Sequence, residues 1–289
     1  MAPDGGLTGV PAGAAVSGDP LEDWPDRTPL RDESGAVVLV FSAAESTRDS
    51  IPWADGAWVP PSVPVTHAVA LSLRAMPGWR LSTSDPALAD AMLAAGATER
   101  RHAHTMTTPL RDPPEPGEPA AVRVEPLSPA QADRHATRLG TLNHRAYPRD
   151  HPDAYDGDEE AAVSQIRAIA RGELLGAMLA ESRVALVGGR IAGACLVVDR
   201  PGTPPHGGPW VIDIFRDPDV GVPGVGTALL ATVLRAAGDA GLPGLSLAVS
   251  HANERARRLY QQLGLVSVDE SWTLTLPERG GKRRTPALG

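Results

Sequence analysis

The stretch from Pro209 to Leu265 constrains the fold of this chain most, because its apolar period switches from strand to helix twice in succession. Trp210 to Arg216 is an apolar run rich in β-branched residues. Asp217-Pro218 closes it, since proline has no N–H to give a ladder. The chain then turns through Gly221-Val222-Pro223-Gly224-Val225-Gly226. From Thr227, Leu229, Leu230, Val233 and Leu234 recur at helical spacing until Gly238 and Gly241. A second strand over Gly244 to Val249 and a second helix from Asn253 follow. The order is strand, glycine turn, helix, strand, helix.

Glycines at a helix start let backbone N–H groups face an anion at the positive end of the helix dipole. A nucleoside-triphosphate loop is excluded by the lack of Gly-Lys-Ser/Thr, and a dinucleotide fingerprint by Leu229 at the place of its third glycine. What remains is Gly221-x-x-Gly224-x-Gly226 before a helix, then Asn253-x-x-Ala256-x-x-Leu259-Tyr260-x-x-x-Gly264-Leu265. In these two segments the chain resembles the GCN5-related N-acetyltransferases (GNAT). It departs from their pattern at Gly221, where that family usually has Arg or Gln.

The resemblance implies an α/β (α+β) fold with a mixed, mainly antiparallel sheet flanked by helices, and acetyl-CoA as acyl donor. It implies that the backbone of Gly221, Val222, Pro223, Gly224, Val225, Gly226 and Thr227 holds the pyrophosphate. Main-chain groups of Ile214, Phe215 and Arg216 would bind the thioester carbonyl and the pantetheine amides, and Asn253 would bind or position the donor. Tyr260 matches the family's general acid; a phenol with pKa near 10 is protonated at neutral pH. Asp213 is the expected base, on the strand face opposite Ile212 and Ile214, with His251 as runner-up.

Composition narrows the remaining classes. The net charge of −8 argues against a nucleic-acid surface, and Lys282 is the only lysine. The single cysteine, Cys195, excludes an intrachain disulfide and reads as a buried strand residue. No run approaches the roughly 20 apolar residues that cross a bilayer, and the N-terminus lacks a signal-peptide pattern. A cytoplasmic protein, monomeric or homodimeric, is expected. His102 and His104 share a strand face, but no cysteine or carboxylate set completes a metal site, so no metal is expected.

At 289 residues the chain has room for two cores. Residues 1–28 read as a mobile lead-in, 29–110 as a smaller N-terminal α/β domain, 111–120 as a proline-rich linker, 121–279 as the catalytic domain and 280–289 as a tail. In the N-terminal part a strand at Trp79 to Ser82, a helix starting at Asp85-Pro86 and ending at Gly96, and a strand at Thr98 to Thr107 follow the order of the C-terminal motif. This suggests a degenerate, truncated half-domain in a tandem arrangement, with an unrelated α+β cap as the alternative.

Ser128-Pro129 is expected to cap a helix reaching Arg145, and a second helix to run from Asp158 to Arg171. Gly188-Gly189 marks a hairpin between Val184–Val187 and Ile191–Val198. The segment Tyr147 to Gly157 carries His151, Asp153 and Tyr155 as acceptor-site candidates, and the proline-rich loop before the Trp210 strand adds His206. The expected activity is acyl-CoA-dependent N-acetylation of a small-molecule amine by direct attack. The alternatives are a non-catalytic acyl-CoA sensor and a protein or peptide N-acetyltransferase.

Overall fold

A computed structural model describes residues 27–45, 50–111, 121–154 and 157–279. Most of the lead-in, most of the 111–120 linker and the tail lie outside them. In chain order the elements are β1 (Thr28–Arg31), β2 (Val37–Glu45), β3 (Pro52–Trp58), α1 (Val65–Ala75), β4 (Arg80–Thr83), α2 (Pro86–Ala94) and β5 (Thr98–Pro109). They continue with β6 (Arg123–Pro126), α3 (Pro129–Arg134), α4 (Ala136–Ala146), α5 (Glu159–Ala170), β7 (Ala177–Met178), β8 (Arg183–Val187) and β9 (Arg190–Arg200). The last are β10 (Gly208–Arg216), α6 (Val225–Asp239), β11 (Gly244–Ser250), α7 (Glu254–Gln262) and β12 (Val266–Thr275). None of the described helices is long and apolar enough to cross a membrane.

The chain forms two compact units, and the divisions fall after Ala103 and after Asp269. This differs from the expected boundary at 111–120. The larger unit therefore ends inside β12, and Glu270 onward belongs with the N-terminal unit. The reason is burial: Trp272, Leu274 and Leu276 alternate along the chain and share one apolar cluster with Leu39, Phe41, Leu81, Leu88 and Met92.

In the larger unit, β5 from His104 onward is followed across the sheet by β11, β10, β9, β8 and β6, with β7 on β9. All of these pairs for which a register is given are antiparallel except β10 with β11. The Gly188-Gly189 turn has φ of 57° and 77°, the left-handed geometry of a tight hairpin, as its glycines require. Strand alternation sends Cys195 and Val197 to one face, against Leu229, Val233 and Leu234 of α6. Leu196 and Val198 go to the other, against Leu139, Leu142, Ile166 and Ile169 of α4 and α5.

The helix expected from Ser128 to Arg145 is broken at His135, which ends α3 and begins α4. Ser128 and Gln131 form a reciprocal capping box at the start of α3. Helices α4 and α5 approach so closely at Gly140 that a Cβ there would lie 2.5 Å from the Val163 Cα. Gly140→Ala is accordingly expected to lower stability by about 1–3 kcal/mol, read as a shifted urea midpoint with unchanged slope.

The smaller unit repeats the local order of the larger. Strands β2 and β3 pair antiparallel, and β3 pairs parallel with β4 only at Trp53–Arg80 and Ala54–Leu81. Helix α1 crosses between them and α2 follows, as α6 and α7 do around β11. The segment Thr66 to Met76, ambiguous in the sequence, is the crossing helix. It is entered through Pro60, Pro61 and Pro64 rather than a glycine turn, and those three positions carry no N–H.

Candidate active site

The site is built on two irregularities of β10. Its antiparallel register with β9 shifts between Val211, opposite Val197, and Asp213, opposite Leu196. Ile212 is thus an extra residue, a β-bulge. On its other edge β10 pairs with β11 only at Trp210–Ser246 and Val211–Leu247. Beyond that point the ladder ends, leaving one edge of Asp213–Arg216 without strand partners.

The bulge corrects the face expected for Asp213. Simple alternation set it opposite Ile212, yet Asp213 stands across from Leu196 on the α4 side, where Ile212 also packs. Ile214 remains on the α6 side. There α4 supplies two donors: Asn143 Nδ2 gives a hydrogen bond of 2.6 Å to Asp213 Oδ2 and Tyr147 Oη one of 3.0 Å to Oδ1. The Tyr147 hydroxyl also lies 2.8 Å from the Ile214 carbonyl oxygen. Asn143 is 1% exposed, so its amide is committed to this contact rather than to water.

Beyond Tyr147 the chain passes over to β11. The Tyr147 and His151 rings meet edge to face at 5.1 Å, and the Asp153 N–H donates to His151 Nδ1 at 3.0 Å. Asp153 then accepts from the Ser250 N–H at 2.8 Å and from Asn253 Nδ2 at 2.7 Å. The Ser250 hydroxyl donates to the Pro152 carbonyl at 2.8 Å. Residues 147–154 therefore form a strap tied at one end to β10 and at the other to β11 and the start of α7.

Tyr260 of α7 is 7% exposed and its hydroxyl has no hydrogen-bond partner among the described residues. Burial raises its pKa, and the charges of Asp153 and Asp213 push the same way. Burial and Asp213 hold Tyr147 well above the usual phenol value, and burial does the same to the Cys195 thiol. Asp213 is raised to about 6: enclosure in the fold outweighs the hydrogen bonds from Tyr147 and Asn143, and Asp153 adds repulsion. Two phenols are thus kept protonated beside a carboxylate that changes charge close to neutrality.

The glycine turn leads into α6, which starts at Val225, two residues before the expected Thr227. Gly224 caps it with φ 83°, a left-handed conformation that suits glycine. No side chain caps this end, so the first N–H groups of the helix are left to a ligand. A Cβ on Gly221 would meet nothing within 4 Å, which leaves open space at the position of the missing Arg or Gln. The approach to the turn is fixed by Asp217, 6% exposed, against Arg138 at 3.4 Å and Arg145 at 3.5 Å, while Arg145 also reaches Asp219.

Asp213, Tyr260, Asp153, His151 and Asn253 are thus brought together around the opening between β10 and β11. Asn253 spends its oxygen on the Ala256 N–H as helix cap and one amide hydrogen on Asp153, so a single N–H remains for a donor molecule. His251 turns to His104, its Nδ1 2.9 Å from His104 Nε2 with the rings stacked. His206 pairs with Asp269 at 3.3 Å instead of joining the group around Asp213, and burial lowers its pKa. Tyr155 lies outside the described residues. Asn143 and Tyr147 were not singled out from the sequence; their signal is two polar tips four residues apart on the apolar face that carries Leu139 and Leu142.

Comparison with known proteins bears on the fold. Residues 138–265 match the model of the Acetyltransferase (GNAT) family. Among solved structures, a GCN5-related N-acetyltransferase from Sphaerobacter thermophilus aligns with a TM-score of 0.59 at 16% identity, covering 88% of this chain and 83% of that one. One from Kribbella flavida aligns at 0.51 and 16% identity, covering 89% and 91%. A tandem GNAT protein from the clavulanic acid biosynthesis pathway aligns at 0.51 and 16% identity, covering 87% and 83%. These likenesses establish the fold. No curated protein matches the chain.

Proposed function

We propose, for a chain whose residues 138–265 match the model of the acetyltransferase (GNAT) family, that it acetylates a small-molecule amine with acetyl-CoA by direct attack in a ternary complex. The observation that carries this reading is the convergence of a titrating carboxylate, Asp213, and a partnerless phenol, Tyr260, at the opening beside the uncapped start of α6.

In this reading the N–H groups of the α6 start hold the pyrophosphate, and Phe215 and Arg216 offer main-chain groups to the pantetheine arm. The donor supplies an activated thioester. Asp213 takes a proton from the acceptor nitrogen as that nitrogen attacks the thioester carbonyl carbon. The carbon–sulfur bond then breaks and the Tyr260 O–H gives its proton to the sulfur. The two transfers assist each other: once Asp213 is neutral, its charge no longer opposes loss of the Tyr260 proton. The smaller unit, with the same local order but prolines before its crossing helix, fits a half-domain that does no chemistry.

Release of free thiol from acetyl-CoA against a panel of amines tests this. Amine-dependent thiol release supports the transferase reading. Acetyl-CoA affinity without thiol release from any amine would leave a sensor, and no affinity for acetyl-CoA would sink both.

A further inference from the structure

The charge balance around the opening bears on the acceptor. Asp213 accepts from Asn143 and Tyr147, and the Asp153 carboxylate from Ser250 and Asn253. Each of these donors is neutral, and among the described residues neither carboxylate pairs with an arginine or lysine. His151 turns its Nδ1 to the Asp153 N–H, at 3.0 Å.

Clamped carboxylates with no counter-charge repel each other across a poorly solvated space, and the fold keeps both. Each Asp153 oxygen accepts one hydrogen bond from the protein and has capacity for another, whereas Asp213 accepts from the Ile214 N–H as well as from Asn143 and Tyr147. The Tyr260 side chain, 7% exposed, feels the charge of both, and its hydroxyl has no partner among the described residues. The hydroxyl is not sealed inside the fold, so a polar ligand can reach it.

We propose that the acceptor is a diamine-class dication, whose reacting amine faces Asp213 while a second, non-reacting cationic group is held by Asp153. The inference rests on this opening being the acceptor site of the reading above. The reacting nitrogen first loses one proton to solvent to become a neutral amine and gives a second to Asp213 as it attacks, so its charge attraction to Asp213 is lost during the reaction. The contact to Asp153 is kept throughout. One carboxylate thus serves the chemistry and the other serves binding, and a monoamine satisfies only the first.

The test is calorimetric binding of 1,4-diaminobutane and of butylamine to the full chain in the presence of coenzyme A. The expected affinity ratio is at least about tenfold in favour of the diamine, falling to within about twofold in Asp153→Asn. A thermal melt reports whether the variant folds. If it does not, the wild-type ratio at about 50 mM and about 500 mM salt decides, since a charge contact should shrink several-fold. Equal affinity for the two amines, or a ratio unchanged in a folded Asp153→Asn, overturns the proposal. Thiol release on the same amines separates the two readings: a diamine preference in binding without turnover sinks the transferase alone, and equal turnover of both amines sinks the dication alone.

Discussion

Tyr260→Phe is expected to lower kcat by about 100-fold to 1,000-fold while acetyl-CoA affinity stays within about threefold. The change removes one hydroxyl and leaves the ring that packs among Leu229, Leu263 and Leu265. Because the hydroxyl has no partner among the described residues, its loss orphans no other polar group, and the melting temperature should hold or rise slightly. Single-turnover thiol release isolates the step. A variant that turns over at the wild-type rate would remove Tyr260 from the chemistry, and one that loses acetyl-CoA affinity in proportion would make it a binding residue.

Asp213→Asn should cost about 100-fold or more in kcat/KM and abolish a pH dependence that the wild type shows. The base works only when ionised. Wild-type kcat/KM should therefore rise about tenfold per pH unit up to about 6 and level off above it. The same carboxyl makes an opposite prediction for stability. Its folded pKa, about 6, lies above its ordinary value of 3.8, so the folded chain holds the proton more tightly. Stability contributed by the protonated form is complete below the ordinary value and is lost as pH rises through about 6, by at most about 3 kcal/mol. Asparagine does not titrate. The variant should gain on the wild type between pH 4 and 7 in denaturant melts, less whatever it loses in contacts to Tyr147 and Asn143. A flat rate profile in the wild type would remove Asp213 as base.

What could be read from the sequence was local. The glycine turn, the strand before it and the Asn253 to Leu265 helix declare themselves within one contiguous segment, because backbone conformation and helix period are set by neighbours along the chain. The bulge at Ile212 was not legible. Nothing in Trp210 to Arg216 says that β9 will meet it out of step, so alternation separated Asp213 from Ile212, although it set Asp213 and Ile214 apart correctly. Nor was the strap: Asp153 meets Asn253 at a separation of 100 residues and Ser250 at 97, and no local period encodes such a tie. Strand β3 was hidden by the prolines around it, and its status came from pairing with β2 and β4.

The division inside β12 has a consequence for the order in which the protein comes into being. The ribosome makes β1 to α2 first, yet the cluster they enclose includes Trp272, Leu274 and Leu276. Those residues emerge only after the whole of the larger unit, a wait on the order of ten seconds or more at usual translation rates. Until then the side of β4 that Trp272 to Thr275 will cover is open and offers a template to any other extended segment. The half of the protein that is synthesised first is the half that is finished last, and in the interval its unpaired strand is what a chaperone would have to guard.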